Sequence, residues 1–114
     1  MIPVVLDLAW SRAAGRATVA VSGDLDRLTA DRLLADVTAV TTEPGVTRVV
    51  LDCAELSFCD SHGLAVLLTI HRRTNAAGIA LVLDNRQQRL DRLLAITGTA
   101  ALLTGTTSQA RSQS

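Results

Sequence analysis

The chain has 114 residues, 48% of them hydrophobic, and its 11 basic residues, every one an arginine, balance 11 acidic ones. That length suits a single domain with a real core, and zero net charge removes the attraction that dominates nucleic-acid affinity. Without lysine there is no Walker-type phosphate loop, no Schiff-base chemistry and no kinase lysine. No apolar run approaches the roughly 20 residues needed to cross a bilayer. Trp10 and Phe58, the sole aromatics, are poor material for stacking bases or sugars. The start of the chain lacks the basic stretch and apolar block of a secretory signal, which predicts a cytoplasmic protein. In that reducing setting Cys53 and Cys59 are expected to be small core residues.

In chain order, residues 4–10 alternate and place Val4, Leu6, Leu8 and Trp10 on one face of a first strand. A turn at Ala14-Gly15 leads to a second strand over 16–22, where Ala17, Val19 and Val21 alternate, close enough to pair antiparallel with the first. Gly23-Asp24-Leu25-Asp26 interrupts the pattern and predicts a loop. Thr29 is placed to cap a helix to about residue 42, with Ala30, Leu33, Leu34, Val37 and Val40 along one side. Glu43-Pro44-Gly45 ends it, and residues 48–52 form a short apolar strand of the central, buried kind.

A short connection follows, then a helix over about 61–77 with Gly78 at the C-cap position. Residues 79–83 predict another apolar strand, and Asp84 or Asn85 a cap for a third helix that carries Leu90, Leu93 and Leu94 and closes at Gly98. Residues 100–103 suggest a short edge element, and the Thr, Ser, Gln and Gly of 104–114 predict a disordered tail. The expected fold is a single α/β domain over 1–103. It has a mixed sheet of four to five strands, an antiparallel first strand and about three packing helices.

Candidate chemistry concentrates between Asp52 and Leu64. Asp60-Ser61-His62 contains the residue types of a hydrolytic triad, but three consecutive residues cannot chain acid to base to nucleophile. There is no Gly-x-Ser-x-Gly elbow either. Cys53, Cys59, Asp60 and His62 match none of the common zinc spacings, and His71 is expected on its helix flank. Asp52 closes a strand as a receiver-domain phosphoaspartate does, but the companion acidic pair and lysine are missing. The expectation is a protein without catalysis, metal or cofactor of its own.

Ser61 stands at a helix mouth, where unpaired N–H groups and a partial positive charge gather. It is either an N-cap or a place to hold a phosphate. Behind it, Leu64, Val66, Leu67, Leu68, Ile70 and Ala77 spread over an arc of about 200°, twice the usual stripe. The helix is either wedged between sheet and neighbour, or exposes an apolar face beside Ser61 to a partner.

Leu51-Asp52 followed by Leu56-Ser57-Phe58-Cys59-Asp60-Ser61-x-Gly63-Leu64 resembles the signature of bacterial anti-sigma-factor antagonists, the STAS domains. Val21-Ser22-Gly23-Asp24-Leu25-Asp26 is similar to that family's Gly-acid-Leu-Asp loop, and Leu93-Leu94-Ala95-Ile96-Thr97-Gly98 to its closing helix. The resemblance spans about residues 2–103 and implies a STAS-like fold and a non-catalytic regulator. Ser61 then corresponds to the serine phosphorylated by a partner anti-sigma factor, itself a serine kinase. Asp60 is the acid before it, Asp24 the loop acid that engages the kinase, and His62, Gly63 and Leu64 complete the partner-binding set. His62 departs from the family, which often has a second small hydroxyl residue there, and this bears on partner choice.

By this resemblance the unphosphorylated protein binds the kinase and frees the sigma factor, phosphorylation releases it, and a serine phosphatase resets Ser61. The expected partners are that kinase and phosphatase, with no nucleic acid and no membrane, in a monomer or weak dimer. An alternative keeps the fold without the switch: a scaffold or accessory subunit of a signalling or membrane lipid-transport complex. Ser61 is then only a cap, and the broad apolar helix is the docking face.

Overall fold

The structure, a computed structural model, describes residues 6–104. Val4 and the predicted tail beyond residue 104 lie outside the described residues. Strand β1 (Asp7–Ala13) and strand β2 (Arg16–Leu25) form an antiparallel hairpin in register from Asp7↔Ser22 to Ala13↔Arg16. A two-residue hairpin turn of this kind needs positive φ at both central positions, and Ala14 (φ 51°) and Gly15 (φ 84°) supply it. Helix α1 (Ala30–Val40) follows, then strand β3 (Arg48–Asp52), which pairs parallel with the first half of β2. Strand β4 (Leu56–Cys59) pairs parallel with the last residues of β2, and helix α2 (Ser61–Ala76) begins directly after it. Strand β5 (Ala80–Asp84) adds parallel to β3 and is followed by helices α3 (Gln88–Ile96) and α4 (Ala100–Thr104).

The sheet is therefore mixed and five-stranded in the order β1-β2-β3-β5, with β4 in line beyond β3 along β2. Ala17, Val19 and Val21 of β2, with Val49 and Leu51 of β3, form one core with the inner face of α1 (Ala30, Leu33, Val37, Val40) and α2. The Trp10 indole N–H donates to Asp36 at 3.0 Å, tying the hairpin to α1. The architecture is the α/β domain with an antiparallel start that the residue pattern predicts.

Five local expectations change. Gly23-Asp24 is a register shift inside β2 rather than a loop, because β4 offers the strand end a new partner. β4 itself replaces the expected connection; four residues are too few to show a period, and only Leu56 among them is buried. Thr29 makes no cap hydrogen bond to α1; its hydroxyl donates to the Asp24 carbonyl at 2.6 Å and accepts from the Asp26 N–H at 3.1 Å. Neither Asp84 nor Asn85 caps α3: Asp84 ends β5, Asn85 turns the chain at φ 54°, and Gln87 takes the cap position. Residues 100–104 form a fourth helix rather than an edge element, with Leu103 in the core.

Candidate functional site

The end of β2 and the start of α2 are pinned together where Asp60 N–H donates to the Leu25 carbonyl at 3.2 Å. Asp60 has extended backbone (φ −96°, ψ −172°), and its Oδ1 accepts from the Gly63 N–H at 2.8 Å. Asp60, not Ser61, is thus the N-cap, and Ser61 occupies the first helical position. This corrects the capping role considered for Ser61: an acid whose oxygen reaches one atom further than serine's, one residue earlier, satisfies the donor. Ser61 is exposed, and its hydroxyl has no hydrogen-bond partner among the described residues. The backbone N–H groups of Ser61 and His62 are likewise unpaired among the described residues, so the positive end of the α2 dipole faces solvent beside a structurally idle hydroxyl.

Gly63 explains how the two elements come so close. A Cβ there would lie 2.2 Å from the Leu25 carbonyl oxygen and 2.9 Å from its carbon. That approach holds the half-buried Asp24, opposite Phe58 in the register, at the same end of the sheet as Ser61. The loop after Leu25 is kept in shape by Thr29 and by Leu28 N–H donating to Asp26 Oδ1 at 2.9 Å. His62 Nε2 lies 3.1 Å from Asp31 Oδ1, joining α2 to the start of α1. Asp24, Asp60 and His62 therefore reach solvent around Ser61. Gly63 and Leu64 do not: both are buried, Gly63 acting through its bare backbone and Leu64, 7% exposed, through the core.

The sequence model of the STAS domain matches residues 12–112 of this chain. The chain belongs to the STAS domain family. Among solved structures it is similar to the anti-sigma factor antagonist SpoIIAA in its unphosphorylated form, with TM-score 0.71 and 19% identity over 86% of this chain and 84% of that one. The phosphorylated form of SpoIIAA, a Bacillus cell fate determinant, superposes with TM-score 0.67 at 19% identity over 86% and 87% of the two chains. An anti-sigma factor antagonist from Mycobacterium paratuberculosis gives TM-score 0.69 at 25% identity over 83% and 80%. The murine anion transporter Slc26a9 also contains this fold, with TM-score 0.69 and 20% identity over 79% of this chain but 15% of that one.

In this STAS domain most of the apolar arc of α2 is wedged, not displayed: Leu64, Val66, Leu67 and Ile70 are buried and Leu68 is half-buried against the core, while Ala77, at the C-cap, is exposed. Among the described residues the large exposed apolar side chains lie elsewhere, at Leu28 (89%) in the loop before α1, Phe58 (48%) on β4, Ile96 (76%) on α3 and Leu102 (55%) on α4. Phe58 and Ile96 line a cleft of about 240 Å³ between β4 and α3, with Leu56, Leu90 and Leu93 at its base and Arg89 and Arg92 on its rim. Sequence reasoning passed over these residues. Leu28 falls out of phase with the α1 stripe, which was a usable signal; the facing of Phe58 depends on β4, which had none.

The STAS core also accounts for both cysteines. Burial, reinforced by the Asp52 charge, pushes the Cys53 thiol up to about 12, and burial with Asp60 pushes Cys59 up to about 11. Both are free thiols held in their unreactive form. Among the described residues no group of three or more His, Cys, Asp or Glu could hold a metal ion, and no helix is long and apolar enough to cross a membrane.

Proposed function

We propose that this STAS domain is an anti-sigma-factor antagonist whose grip on an anti-sigma serine kinase is switched off by phosphate on Ser61. The observation that carries the reading is the exposed Ser61 hydroxyl at the first turn of α2, without a hydrogen-bond partner among the described residues, its capping duty taken by Asp60. SpoIIAA, which shares the fold, exists in unphosphorylated and phosphorylated forms. Because the Ser61 hydroxyl bonds to none of the described residues, a phosphate there adds about −1.5 to −2 charges without breaking a hydrogen bond among them. The α2 dipole offsets that charge by roughly 0.3–1 kcal/mol, so the fold stays as it is.

A partner closing over Ser61, Phe58 and Leu28 would have to bury the new charge beside Asp60 and Asp24. A thousandfold loss of affinity needs only about 4 kcal/mol, well within the cost of an unpaired buried charge. The kinase supplies ATP, a serine phosphatase resets Ser61, and the exchange belongs in the cytoplasm. The scaffold alternative loses the α2 docking face on which it relied, since that face is packed.

Intact mass after incubation with ATP and a candidate anti-sigma kinase, wild type beside Ser61→Ala, tests the proposal. One phosphate gained by wild type alone is expected. No gain from a kinase that demonstrably binds would overturn it.

A further inference from the structure

The helices α1 and α2 cover one face of the sheet, and among the described residues no element covers the other. On that open face the registers set Arg16 beside Arg48 on neighbouring strands and, four residues along, Asp52 beside Asp84. These side chains line one shallow hollow with Val50 and Val82. Like charges directly across neighbouring strands are destabilising. Neither guanidinium has an ion-pair or side-chain hydrogen-bond partner among the described residues. Among the described residues the two acids' side chains bond only to amide donors: Asp52 takes Ala54 N–H at 3.1 Å and the Asn85 side chain at 3.0 Å, Asp84 takes Asn85 N–H at 3.2 Å. Between the charged rows the face is small or apolar: Ala9, Ser11, Thr18, Ala20 and Val82 reach solvent, and Val50 at its centre is 8% exposed.

We propose that this open face pairs with the same face of a second copy, strands reversed, so that the Arg16–Arg48 row of each meets the Asp52–Asp84 row of the other. The rows are about 13 Å apart along the strands, from a rise of about 3.3 Å per residue. The Arg16–Arg48 row lies on β2 and β3 and the Asp52–Asp84 row on β3 and β5, so a two-fold axis between the sheets that passes over Val50, tilted by roughly 20° from the across-strand direction to absorb the one-strand offset, superposes unlike rows and brings the two Val50 positions together. Stacked sheets lie about 10 Å apart, a gap that an arginine facing an aspartate spans. A second copy is the occupant favoured because the face is complementary to itself under that rotation, the requirement of an isologous contact. With no large side chain at its centre, and a footprint of a few hundred Å² by strand spacing against roughly 800 Å² per partner in a stable complex, the pair is weak and charge-held. The inference is independent of the Ser61 reading.

Sedimentation velocity over a concentration series, at about 20 mM and about 500 mM salt, tests it. Wild type is expected to dimerise at low salt and to lose at least tenfold in affinity at high salt. Arg16→Glu/Arg48→Glu and Asp52→Arg/Asp84→Arg are each expected to stay monomeric alone and to associate when mixed. Circular dichroism checks that each variant folds; if Asp52→Arg disturbs the turn that Asp52 holds, Asp84→Arg alone serves as the basic partner. Monomeric wild type at every concentration, a dimer that survives in Arg16→Glu/Arg48→Glu, or folded variants that ignore each other would each overturn the proposal.

Discussion

At Ser61 the decisive fact is which neighbour does the capping. Asp60 satisfies the Gly63 N–H, so Asp60→Ala should cost about 1 kcal/mol in urea denaturation, while Ser61→Ala should change stability by under about 0.5 kcal/mol. Equal losses would return the cap to Ser61. Gly63 is the companion case. Its missing Cβ leaves room for backbone, and backbone cannot move aside as a side-chain tip can. Gly63→Ala should therefore destabilise by roughly 3 kcal/mol, despite alanine's better helix propensity, and a neutral thermal melt would contradict the close approach. Ser61 and the acids around it could be named from their spacing, because a helix mouth has a local signature. The burial of Leu64 could not, since every residue of that stretch is compatible with either face.

Among the elements, the β1–β2 hairpin and β4 show the two extremes. The hairpin turn is local chemistry: Ala14 sits at φ 51°, where asparagine is more comfortable. Ala14→Asn should raise stability by about 0.5–1 kcal/mol, measured as a shift in urea midpoint at unchanged slope. β4 is tertiary. Among the described residues its one sheet partner is the end of β2, and side chains satisfy carbonyls along the stretch from Ala54: Gln87 donates to Ala54 at 2.7 Å and Leu56 at 3.1 Å, and Arg89 donates to Ser57 at 3.0 Å. These partners lie more than 30 positions away, so no window around residue 57 contains the reason for a strand there.

For the molecule as a whole, the pH dependence of stability tests the charge arrangement. Hydrogen bonds from Asn85 and from the Ala54 N–H hold Asp52 below the usual carboxylate range. A depressed carboxylate contributes stability above its unfolded pKa and loses it as pH falls through the folded one. Wild type should therefore be more stable than Asp52→Asn at neutral pH, and the two should converge in acid, as followed by urea denaturation at several pH values and low protein concentration. A constant gap between them would assign Asp52 no part in acid sensitivity. The same carboxylate sits in the acidic row of the open sheet face, where local hydrogen bonds keep it ionised for a partner.

The sequence by itself determined the order and type of the main elements: alternation, apolar stripes and turn residues act over a few positions and are legible without the fold. It also determined the candidate site, because Asp60-Ser61-x-Gly63-Leu64 is a contiguous motif at a helix start. Only the tertiary structure decided that Asp60 rather than Ser61 caps α2, that β2 runs on through Gly23 to meet β4, and that Leu64, Val66, Leu67 and Ile70 of the broad apolar arc of α2 are buried. Each of those depends on what a distant segment places opposite: a carbonyl at Leu25, an edge at Cys59, the core face of α1. Pairing of that kind is a property of the assembled sheet and helices, and burial is settled only when the second surface arrives.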